Sequence, residues 1–120
     1  MRLQLALLLF VLPVAGIAQD QWIPIGTSSP PIDALLLNVG FVVMNENNNR
    51  VATIRSVTGG FQMDMLTEFD CHARRQRSLS SALSDKGGHL VSARAGDNRW
   101  FSGKDAIGLD AACSAPIAKT

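Results

Sequence analysis

A chain of 120 residues with 11 Lys and Arg against 10 Asp and Glu carries a formal charge of +1, so it lacks the basic excess of a general nucleic-acid binder. Its length allows one domain, near the smallest that builds a core without a covalent or metal staple. Two cysteines are the staple on offer.

The first eighteen residues read as a signal peptide. Arg2 supplies the charged start, Leu3 to Leu12 the apolar stretch and Pro13 its end, and Gly16 and Ala18 are the small residues ahead of a cut before Gln19. The apolar run falls short of the roughly twenty residues of a spanning helix, so no stable membrane anchor is expected. No lipid anchor is implied either, because no cysteine follows the cut. Residues 19–120 are then a single mature domain, neutral overall once Arg2 is removed, in the periplasm, at the cell surface or outside the cell.

Gln21 to Ile25 is a short β-prone piece anchored by Trp22, and a Gly-Thr-Ser-Ser-Pro-Pro loop follows it. Ala34 to Met44 is the most apolar mature segment and predicts a buried strand with a bend at Gly40. A helix over Asp33 to Val39, capped by Asp33, is the competing reading. The asparagine-rich turn Asn45 to Asn49 leads into an alternating strand, Arg50 to Val57, and Gly59-Gly60 turns it back as a hairpin. Those glycines lack the helix and the Lys-Ser/Thr step of a phosphate loop.

Phe61 to Cys71 is the organising strand. Phe61, Met63, Met65, Thr67, Phe69 and Cys71 alternate with Gln62, Asp64, Glu68 and Asp70, which predicts one face in a core and an acidic face in water. Beyond it the chain turns basic. From Arg74 to Arg99 six basic residues stand against Asp85 and Asp97, and Arg75, Arg77 and Leu79 share a face with Cys71 if the strand continues. The turn Asp85 to Gly88, a strand from His89 to Ala93 and a further turn at Ala95 to Asn98 complete an antiparallel meander.

The period then changes. Ser102 to Asp105 fits a helix-capping pattern, and Ala106, Leu109, Cys113 and Ile117 recur at helical spacing until Pro116 ends the helix. In an exported chain Cys71 and Cys113 read as a disulfide, worth about 4 kcal/mol for a loop of this length in the chain-entropy model. It clamps helix to sheet. The expected class is α+β, mainly β: an antiparallel meander sheet with a short C-terminal helix tied to one face.

An early Trp22 before a Gly-Thr turn, Asp70-Cys71 closing an acidic strand, Arg74-Arg75 and Arg77-Ser78, Gly87-Gly88, Trp100 and a final Cys113 recur here in order. In this the sequence resembles the surface-adhesin protein E family of bacterial exported domains over nearly the whole mature chain. Where tyrosine is usual in that family, Ser80, Ser81 and Ala82 stand here. The resemblance implies the same sheet and bridged helix and, in the name-giving member, a dimer that attaches bacteria to host extracellular proteins.

Three functions are weighed on these residues. A binding or adhesion domain would use Arg74, Arg75, Arg77 and Lys86 to contact a host extracellular protein, glycan or envelope component, since arginine forks suit anionic groups. Against it, the arginines serve as a solvated edge paired with Asp64, Glu68 and Asp70 on the neighbouring strand. A periplasmic inhibitor would present the loops Thr27 to Pro31 or Asn45 to Asn49, and a structural envelope protein is the blander form of that alternative. An enzyme is not expected. His72 and His89 are the neutral-pH titrators, and Ser78 to Ser84 lack a placed base. No catalytic, metal or cofactor-binding set is assigned, since Cys71 and His72 point to opposite sides of a strand.

Overall fold

Arg50 to Thr58 and Phe61 to Asp70 pair residue for residue, from Arg50 opposite Phe69 to Thr58 opposite Phe61, around the Gly59-Gly60 turn. In the computed structural model, which describes residues 18–26 and 30–119, these are the fourth and fifth of eight strands. In order they are β1 (Trp22–Pro24), β2 (Ala34–Asn38), β3 (Val43–Met44), β4 (Arg50–Thr58), β5 (Phe61–Asp70), β6 (Arg75–Ser84), β7 (Leu90–Ala95) and β8 (Phe101–Ser102). The helix α1 (Leu109–Ser114) follows. The sheet order is β1-β2-β4-β5-β6-β7, with β3 beside β4 and β8 beside β6, and every pairing is antiparallel. The chain is therefore the expected mainly β meander with one short C-terminal helix. The leader reading falls on residues 1–17, outside the described residues, as do Thr27 to Ser29 of one candidate loop.

Alternation gives the sheet two faces. On the inner face Leu37, Ala52, Ile54, Thr67 and Phe69 meet Leu109 and Ala112 of α1, and Ile25, Val42 and Ala115 complete the buried cluster. Gly108 brings the start of α1 down onto this core, since a Cβ there would lie 3.1 Å from Ile54 and 3.3 Å from Phe69. Arg50, on the same face, closes the other end by donating to the carbonyls of Ala112, at 3.1 Å, and Ala115. Cys71 and Cys113 are bonded, with Cα atoms 5.8 Å apart across a sequence separation of 42. The bridge holds α1 to the end of β5, as the two periodicities predict.

Four expectations change. Asp33 to Val39 is not a helix: Ala34–Asn38 is strand β2, and a 3-10 turn, Val39–Phe41, leads into β3. The C-terminal helix is shorter than its spacing implies, because Gly103, at φ 61°, starts a 3-10 turn instead and α1 begins after Gly108. Ile117 lies past its end. The organising strand does not run on into the arginines; residues 71–74 turn, with Arg74 at φ 58°, and β6 folds back along β5. Finally, the acidic side of β5 is not all in water. Glu68 is 1 % exposed.

β6 carries an irregularity with structural consequences. Leu66 opposes Ser80 and the next residue, Thr67, opposes Ser78, so Leu79 is an extra residue. Its carbonyl accepts from the Gly96 N–H at 2.8 Å. Gly96 is required there, because a Cβ would lie 1.8 Å from the Ser78 carbonyl oxygen. β7 thus flanks the far half of β6, and β8 flanks its start.

Candidate functional site

The basic start of β6 meets the acidic end of β5 through a tight turn. The Asp70 carboxylate accepts from the Ala73 N–H at 3.0 Å and from Arg75 Nε at 3.2 Å. The Ala73 N–H, and after it Arg75, hold the Asp70 carboxyl below its usual range. Register then places Arg75 opposite Asp70 and Arg77 opposite Glu68, side chains on the outer face.

Glu68 is the most enclosed charge at this end. Its Oε1 accepts from Arg77 Nε and Nη2 at 3.0 and 2.9 Å, and its Oε2 from Asn45 and Asn49 Nδ2 at 2.9 and 2.8 Å. Burial pushes its carboxyl up, but the hydrogen bonds from Asn49, Asn45 and Arg77 and the Arg77 charge outweigh burial and hold it at about 2. Asn45 Oδ1 also accepts from the N–H groups of Asn47 and Asn49, both at 3.0 Å, so the asparagine turn is braced internally as well as pinned to the sheet.

Trp100 sits where β8 would extend opposite Arg77. The Arg75 and Arg77 guanidinium carbons lie 4.1 and 4.4 Å from its ring centre. At the opposite flank of the same face Arg55 stacks on Trp22 at 3.8 Å while its Nε and Nη2 hold Asp64 at 2.8 and 3.0 Å. From Trp22 toward β7 the outer face is grooved. One recess of about 550 Å³ extends toward β7 over Ser80, Ala82 and Ala93, and another of about 510 Å³ extends toward Trp22 and Phe41. They meet over Thr53, Asp64 and Leu66, which line both.

The four basic residues singled out by sequence are not one cluster. Arg74 pairs with Asp110 of α1, and Arg75 and Arg77 pair with Asp70 and Glu68, so all three arginines have carboxylate partners. Lys86 lies beyond the far end of the ten-residue β6, about 30 Å from Arg75 at strand rise, beside Gly60 of the neighbouring turn. His72 and His89 are divided in the same way. Among the described residues no group of three or more His, Cys, Asp and Glu side chains is placed to hold a metal ion. No described helix is long and apolar enough to cross a membrane.

Sequence reasoning missed the burial of Glu68, the two asparagines that hold it and the Arg55 to Trp22 stack. A turn of four residues between Asp70 and Arg75 sets the register that pairs Glu68 with Arg77, so that partnership was available once the turn was placed. The stacks join segments distant in sequence and left no local signal. Comparison with protein-family models, with curated proteins and with solved structures finds no match.

Proposed function

We propose that this is an exported, non-catalytic binding domain of adhesion type whose recognition surface is the outer face of the sheet. The observation that carries the proposal is the pair of tryptophan–arginine stacks, Trp22 with Arg55 and Trp100 with Arg75 and Arg77, on one face of the sheet beside a groove that runs from Trp22 toward β7. Tryptophan and arginine dominate the energetics of protein interfaces because they bring large rigid area with little conformational entropy to lose. The paired arginines keep outward N–H groups for an anionic partner, and the ligand class is an acidic extracellular protein, a glycan or an envelope component. The Cys71–Cys113 disulfide supports a location outside the reducing cytoplasm.

Binding of the purified, oxidised protein to heparin and to matrix proteins, followed across a salt series, tests this. Saturable binding that weakens with salt, and falls about tenfold in each of Trp100→Ala and Arg75→Ala, supports the proposal. Binding absent at low salt, or unchanged in both variants, overturns it.

A second reading, a periplasmic inhibitor, draws on one specific feature. The Asn45 to Asn49 turn is fixed to Glu68 by two side chains, and a loop already rigid loses little entropy when it enters a cleft. Stoichiometric inhibition of a cell-wall hydrolase or protease, lost when the turn is replaced by glycine and serine, would move the function to this loop.

A further inference from the structure

The inner face of the sheet is covered at one end only. Between β4–β6 and the loop leading from β8 to α1 is a cavity of about 350 Å³ walled by Ile54, Met65, Phe101 and Ile107. That volume falls in the range of small-molecule sites. Its floor continues in register beyond the loop: Ile54 is followed on the inner face by Ser56 and Thr58, and Met65 by Met63 and Phe61. Phe61, Met63 and Leu83 line a second recess of about 260 Å³ along this line. Phe61 is 50 % exposed, Met63 36 % and Ile107 46 %, so the apolar surface is contiguous rather than scattered.

The polar groups gather at the loop end. Gln76, 6 % exposed, accepts from the Gly108 N–H at 3.2 Å through Oε1, and its Nε2 has no hydrogen-bond partner among the described residues. Among the described residues every fully enclosed side-chain nitrogen or oxygen is satisfied, so Nε2 reaches the space that Gln76 lines, the cavity. Lys104 stands on the rim without an ion pair among the described residues. Thr67 and Ser78, also lining the cavity, already donate to the carbonyls of Met65 and Ser80. Arg77, which also borders the cavity, is paired with Glu68 through Nε and Nη2, which leaves the two donors of Gln76 and the ammonium of Lys104. The exposed carboxylate of Asp105, on the same rim, has water to turn to.

We infer that this cavity and its floor bind a single-chain anionic amphiphile of the long-chain carboxylate type. The head is taken by Gln76 and Lys104, and the chain lies along Met65, Met63, Leu83 and Phe61. Methionine suits such a floor, because its unbranched thioether adapts to a flexible chain. The site opens on the opposite face from the tryptophan groove, with Arg77 at its border, and does not depend on the adhesion reading.

The test is titration of the oxidised full domain with dodecanoate below its micelle concentration, by calorimetry and by NMR of the methionine methyl groups. Saturable one-to-one binding is expected, with the Met63 and Met65 methyls shifting. Lys104→Glu changes an exposed residue and leaves the fold intact; it should weaken binding about tenfold, the size of a lost charge-assisted hydrogen bond. Met63→Asp should abolish binding. Dodecanol should bind about tenfold more weakly than dodecanoate, and dodecyltrimethylammonium no better than dodecanol. No saturable binding, equal binding of the cationic amphiphile, or indifference to both Lys104→Glu and Met63→Asp would overturn the inference.

Discussion

Glu68 and Arg77 face each other across β5 and β6 with the carboxylate sealed from water and the guanidinium 2.9 Å away. Two asparagines from a separate turn complete the shell, so the charge is enclosed by donors on both oxygens. Pairing of this kind is costly to break, because removing one partner leaves the other charge buried.

Arg77→Ala is therefore expected to lower stability by about 3 kcal/mol, measured by urea unfolding at pH 7. Lys86→Ala, on an exposed turn with no such partner among the described residues, should stay within about 0.5 kcal/mol of the parent. Equal effects of the two would mean that Glu68 is not held as described.

Acid should act through the same carboxyl. Its folded value of about 2 lies below the ordinary 4.5, so the stability it contributes is fully present above pH 4.5 and is lost as pH falls toward 2. Asp70 is shifted in the same direction and adds to the trend. In Glu68→Gln the fall of unfolding free energy between pH 4.5 and 2 should be shallower than in the parent, as read from urea midpoints at each pH.

Reducing the Cys71–Cys113 bond, or replacing both cysteines by serine, should cost about 4 kcal/mol. Because the bond ties α1 to the sheet, amide exchange should accelerate first in Leu109–Ser114 and last in β4 and β5. Thermal unfolding with and without reductant, together with exchange mapping, checks both parts.

Gly96→Ala tests the packing of the chain against β6. The added methyl would overlap the Ser78 carbonyl, which is backbone and cannot swing away, so a loss of at least about 2 kcal/mol is expected. A thermal midpoint equal to that of the parent would contradict the described course of residues 95–98.

If the outer face recognises an anionic partner, Trp100→Ala and Arg75→Ala should each weaken binding about tenfold, and Lys86→Ala should leave it unchanged. The contrast matters because the sequence groups Lys86 with the arginines and the fold sets it at the other end of β6. Binding assays at two salt concentrations on the three variants read it directly.

The strands that alternate strongly were legible in the sequence. Arg50 to Val57 and Phe61 to Asp70 pair as their periods require, and the Gly59-Gly60, Asp85 to Gly88 and Asn45 to Asn49 turns stand where their residues place them. The bridge from Cys71 to Cys113 was legible too. What escaped was set by contacts between distant segments. Glu68 looks like any acidic residue on a wet face, and only the arrival of Asn45 and Asn49 from another turn buries it. The helix was overextended because Gly108 reads in sequence as a mere weakening of about 1 kcal/mol, whereas with Gly103 it delays the start to Leu109. The site was half legible: Arg75 and Arg77 were named, while the ring they cover, and the groove from Trp22 toward β7, depend on how distant strands meet.

Leu79 has a consequence for how this chain tolerates change. Counted in twos from Arg75, Leu83 belongs on the arginine side; the supernumerary residue reverses parity midway, so the strand delivers charge to one side and grease to the other. A β6 that kept all ten residues in unbroken alternation would throw Leu83 in among the guanidinium groups and swing Ala82 beneath the methionines, whereas excising Leu79 would leave both on their present sides. Loss of one residue at the centre of β6 should therefore keep both faces of the strand in place, at the cost of the hydrogen bond from the Gly96 N–H to the Leu79 carbonyl.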